Sequence, residues 1–77
     1  MKSEKELFRL AQNIVHIESK LEENISGFLR EELISEAEEI RNTLFRKGYD
    51  ANMFLHYKEL YKSLSVEEYY RFIKTLE

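Results

Sequence analysis

The sequence predicts an all-α fold of four helices, a long antiparallel helical hairpin followed by two shorter helices. Three observations carry that prediction. No proline and only two glycines interrupt 77 residues, 35% of them charged, which is the profile of a helical chain. Apolar residues recur at alternating steps of three and four along most of the length. The breaks between these runs carry helix-stop and helix-start residues: Asn24-Ile25-Ser26-Gly27, Gly48-Tyr49-Asp50 and Leu64-Ser65.

The first helix opens on Ser3 and Glu6, spaced as a capping box. Leu7, Leu10, Ile14, Ile17 and Leu21 form an a/d seam, which Ala11 broadens. Phe8 and Val15 extend it along one edge. So wide an arc predicts a helix to about Glu23 that touches more than one neighbour. Residues 24–27 are long enough for the loop of an antiparallel pair, with Ser26 capping the next helix. The alternative is that the first two helices fuse into one long helix through Gly27, since Leu21, Ile25, Leu29 and Leu33 stay on one side.

The second helix, from about Phe28 to Lys47, buries Leu29, Leu33, Ala37, Ile40 and Leu44. Ile34 and Phe45 lie well off the centre of that stripe. Arg46 and Lys47 suit the negative end of the helix, and Gly48 stops it, with Tyr49 placed for the apolar contact of a Schellman motif. Asp50 caps the third helix, whose inner face is Met53, Phe54, Tyr57, Leu60, Tyr61 and Leu64, with Leu55 pointing away. Ser65 and Glu68 make a second capping box, and Leu64 with Tyr69 a hydrophobic staple. Val66, Tyr69, Tyr70, Ile73 and Leu76 form the inner face of the fourth helix, with Phe72 at its edge. Seven of the ten aromatics fall within residues 48–76, so this unit reads as the one around which the rest is arranged.

The length fits a single domain over 1–77, near the lower limit for one self-sufficient core. A chain of that size often recruits a disulfide, a metal or a second copy of itself. No cysteine is present, which closes the first route and excludes thiolate metal sites. Self-association is therefore the expected route. No run reaches the ~20 apolar residues of a membrane span. The start, Met1 to Glu6, lacks the apolar stretch of a signal peptide, and the expectation is a cytoplasmic protein with no membrane partner.

Chemistry is sparsely represented. Ser3, Ser26 and Ser65 are absorbed as caps, and two isolated glycines make no phosphate cradle. His16 falls opposite the apolar stripe of its helix. His56 precedes Glu59 by one turn, but two ligands do not make a metal site. The expectation is a non-enzymatic protein with no catalytic residue, cofactor or metal.

The net charge of −3 divides unevenly. Residues 1–45 hold ten acidic and six basic side chains, whereas residues 46–77 hold five and six. An acidic first half disfavours nucleic acid, whose binding rests on neutralised phosphates. The last two helices nevertheless read as an alternative helix-turn-helix, with Lys58, Lys62, Arg71 and Lys74 as its basic surface and Glu67 and Glu68 at the wrong end.

The leading reading is a small interaction module, a self-associating regulator or inhibitor that docks on a macromolecular partner. Phe8, Val15, Ile34, Phe45 and Leu55 are the expected apolar margins, and Glu31, Glu32, Glu38 and Glu39 the acidic surface. These suit a protein partner with a basic or nucleic-acid-handling surface, together with a homo-oligomer.

Overall fold

The computed structural model describes residues 4–76 and consists there of four helices with no strand: α1 (Glu4–Leu21), α2 (Gly27–Lys47), α3 (Ala51–Ser63) and α4 (Val66–Leu76). The chain breaks after Leu21, so α1 and α2 are separate helices, and α1 ends two residues earlier than its pattern predicts. The capping box at Ser3 lies outside the described residues.

Local chemistry marks each later boundary. Ser26 is extended (φ −64°, ψ 155°) and its Oγ accepts from the Leu29 N–H at 3.2 Å, satisfying one of the free amides of the first turn of α2. At the other end Gly48 adopts the left-handed conformation, φ 70° and ψ 33°. Its N–H donates to the Phe45 carbonyl (3.1 Å), and the Tyr49 N–H donates to that of Leu44 (3.0 Å). This pair is the Schellman pattern. Asp50 Oδ1 accepts from the Asn52 N–H (2.8 Å) to open α3. The second capping box is complete, with Glu68 N–H to Ser65 Oγ at 3.2 Å and Ser65 N–H to Glu68 Oε1 at 3.0 Å. Hydrogen bonds to the Glu68 carboxyl from the Ser65 backbone N–H first, and then from the Ser65 side chain, hold its pKa below the ordinary value.

The centre of the arrangement is α1, which touches all three other helices. It supplies five of the buried residues, namely Leu7, Phe8, Ala11, Ile14 and Ile17, against Leu33 and Ala37 from α2 and Phe54 and Tyr57 from α3. Residues 48–76 are thus an outer layer laid on α1. Lys47 in the last turn of α2 bridges Glu6 in the first turn of α1 (2.7 Å), and Tyr49 donates to the same carboxylate. These two hydrogen bonds, that from Lys47 first, lower the Glu6 pKa. On the other flank, Lys58 of α3 reaches Glu18 of α1 at 3.0 Å, and Tyr69 of α4 donates to Gln12 at 3.2 Å.

Phe8 departs from expectation. Predicted at an apolar edge, it is the largest fully buried side chain, at 1% exposure. Its ring meets Tyr57 (5.6 Å) and Tyr61 (6.0 Å) edge-on and lies tilted against Phe72 (4.8 Å). The edge of a stripe is peripheral when a helix has one neighbour, but here α3 and α4 both close over it. The converse holds on α4, where no residue is fully buried. Val66 and Tyr70, expected on its inner face, are 74% and 63% exposed because α4 meets the core over Tyr69, Phe72, Ile73 and Leu76 alone.

The molecule is flat, with extents of 38 × 31 × 18 Å. The radius of gyration, 13.4 Å, exceeds the roughly 11.5 Å of a compact chain this long. The accessible surface, 5829 Å², likewise exceeds the roughly 5000 Å² its mass implies.

Candidate docking surface on the second helix

The arrangement leaves most of the circumference of α2 uncovered. Among the described residues α2 has α1 as its main neighbour, and only Leu33 and Ala37 of its 21 residues are buried. A helix gripped along one stripe exposes the rest of its circumference. On α2 that remainder is not uniformly polar. Phe45 is 90% exposed, Phe28 73%, Ile34 44% and Leu29 39%.

Successive side chains of an α-helix are 100° apart, so the exposed residues sort into bands. Ile34, Glu38, Arg41 and Phe45, at steps of four, three and four, share one ridge beside the buried stripe. Next to it, on the outward face, follow Glu31 and then the Glu32/Glu39 pair, with Phe28 among them. All four predicted glutamates are exposed, and among the described residues none of them, nor Arg41, forms an ion pair.

Along its other flank α2 meets α1 in an open groove of about 560 Å³. Leu10, Ile17, Leu33 and Ile40 lie in it, with Lys20, Glu36 and Glu39 among its polar walls. His16 also lines it, and its Nε2 shares a 2.8 Å hydrogen bond with the Tyr61 hydroxyl. Glu39 thus belongs both to the acidic face and to the groove.

The predicted apolar margins therefore have different fates. Ile34 and Phe45 lie together on the α2 ridge. Leu55 is exposed at 54%, but on α3. Val15 is half-buried beside a shallow depression with Glu18, Glu22 and Lys62. Phe8, sealed in the core, offers nothing to a partner. Two members of the surface escaped the sequence reading. Phe28 follows the cap and glycine at the start of α2, and its angular position, far from the stripe, was the available signal. Arg41 passes for an ordinary surface cation until its place between Ile34 and Phe45 is noticed.

Among the described residues no group of three or more histidine, aspartate or glutamate side chains is placed to hold a metal. Three of the four cations of α3 and α4 are occupied: Lys58 with Glu18, Lys62 with Glu59 (3.6 Å) and Arg71 with Glu67 (3.7 Å). Among the described residues no helix is long and apolar enough to cross a membrane. No family model, curated protein or solved structure matches the chain.

Proposed function

We propose that this protein is a small, non-enzymatic, cytoplasmic interaction module, a self-associating regulator or inhibitor that docks on a macromolecular partner through α2. One observation supports the reading above the others. Helix α2, exposed over most of its length, carries both the exposed phenylalanines and four glutamates that form no ion pair among the described residues. Apolar anchors supply contact energy on desolvation, whereas like charges around them set orientation and on-rate. The partner is a protein with a basic patch, such as one that handles nucleic acid, whose phosphate-binding surface the glutamates would occupy.

The test uses the tagged full chain to retain partners from its host at low salt. The retained partner is then titrated with wild type and with a variant in which Glu31, Glu32, Glu38 and Glu39 are all glutamine. Expected is a Kd that rises with salt for wild type and is higher, with less salt dependence, for the variant. Salt-independent binding that the variant preserves would remove the acidic face from the reading. Duplex or single-stranded nucleic acid bound more tightly than about 100 µM would replace the reading with the helix-turn-helix alternative.

A further inference from the structure

The ridge beside the buried stripe of α2 has an order that names its own complement. Read forwards it runs apolar, acidic, basic, apolar, as Ile34, Glu38, Arg41 and Phe45, and the steps of four, three and four are the same in both directions. Turned end for end, a second such ridge sets Phe45 against Ile34 and Arg41 against Glu38. A two-fold axis midway between Glu38 and Arg41 makes both pairings twice over. That is the self-complementarity an isologous interface requires.

The whole helix repeats the pattern. Between Gly27 and Glu39 it carries five glutamates and one arginine, whereas between Ile40 and Lys47 it carries Arg41, Arg46 and Lys47 and no acid. Antiparallel packing lays the acidic half of one helix on the basic half of the other. Parallel packing would set glutamate against glutamate and arginine against arginine.

We propose that the ridge Ile34–Glu38–Arg41–Phe45 seats a second copy of this chain, with α2 antiparallel on α2. This names the partner for the self-association already proposed and rests on it. The contact spans about 16 Å of helix. It covers Ile34 and Phe45 and leaves the Glu32/Glu39 edge and the groove with α1 open to another macromolecule.

Sedimentation velocity of the full chain across the micromolar range tests this, with far-UV circular dichroism to show that each variant keeps its helices. Glu38→Arg places two arginines face to face at both pairs, and Arg41→Glu two glutamates. Each single variant is expected to weaken dimerisation by about tenfold or more, since opposed like charges are costly. The double variant E38R/R41E restores the dimer, and so does an equimolar mixture of the two single variants. Loss in each single variant with recovery in the double variant is the pattern expected when residue 38 of one copy faces residue 41 of the other, and rescue by mixing shows that these charges meet across the interface. A wild-type dimer indifferent to the reversals, or not rescued by mixing, overturns this register and leaves self-association standing. A wild type that stays monomeric throughout overturns both, while docking on a basic partner remains subject to its own salt titration.

Discussion

Phe8 and Phe45 are the same side chain in opposite circumstances, and the residue scale is where their difference has its effect. Phe8 is 1% exposed and surrounded by the rings of Tyr57, Tyr61, Tyr69 and Phe72, whereas Phe45 is 90% exposed. Removing a buried phenylalanine costs about 3–5 kcal/mol, by lost transfer energy and by the cavity left behind. A domain of this length has about 4–12 kcal/mol in all. Phe8→Ala is therefore expected to remove from about a quarter to all of the stability, with a large fall in the urea midpoint. Phe45→Ala should keep the unfolding free energy within about 0.5 kcal/mol of wild type in samples dilute enough to be monomeric. Equal effects from the two substitutions would contradict this placement. Nothing in the local sequence distinguishes the two, because each stands off the centre of its own helical stripe. What separates them is how many helices pack against each, three around α1 and mainly α1 along α2.

At the scale of the element, legibility follows how local the cause is. Ser26, Gly48, Asp50 and the Ser65/Glu68 box could be read off the sequence because each acts within three or four residues of itself. The exposure of Val66 and Tyr70 could not, since it depends on how α4 lies across α1. The two glycines show the same contrast and give opposite expectations for one substitution. Gly27 opens α2 without a positive φ, and a methyl group there would meet nothing within 4 Å. Gly27→Ala should stabilise the protein by roughly 0.4–1 kcal/mol, mainly by restricting the unfolded chain. Gly48 sits at φ 70°, where an L side chain costs roughly 1–2 kcal/mol. Gly48→Ala should therefore destabilise the protein and loosen the Tyr49 and Lys47 contacts to Glu6. Thermal melts of the two variants that shift in the same direction would show the boundary at one of these positions to be misjudged.

At the scale of the whole molecule, a hub with three unequal attachments should open in a definite order. Local opening is governed by how much buried contact is lost, and regions with little of it exchange their amide hydrogens fastest. Five buried residues lie on α1 and none on α4, while α2 is anchored by Leu33, Ala37 and the Lys47–Glu6 bridge. Native-state hydrogen exchange should therefore find α1 best protected, α4 least and α2 between them. Concentration adds a second, independent reading. A ligand that binds only the folded form raises the free energy of opening for whatever it covers, and a second copy seated on α2 is such a ligand. Protection of α2 should rise as the chain passes from dilute to concentrated solution, while that of α4 stays level, because α4 lies outside the two-fold contact. If α4 gains protection with concentration and α2 does not, the copies meet through Val66 and Tyr70 rather than through Ile34 and Phe45. The acidic face of α2 would then be free along its whole length for the other partner.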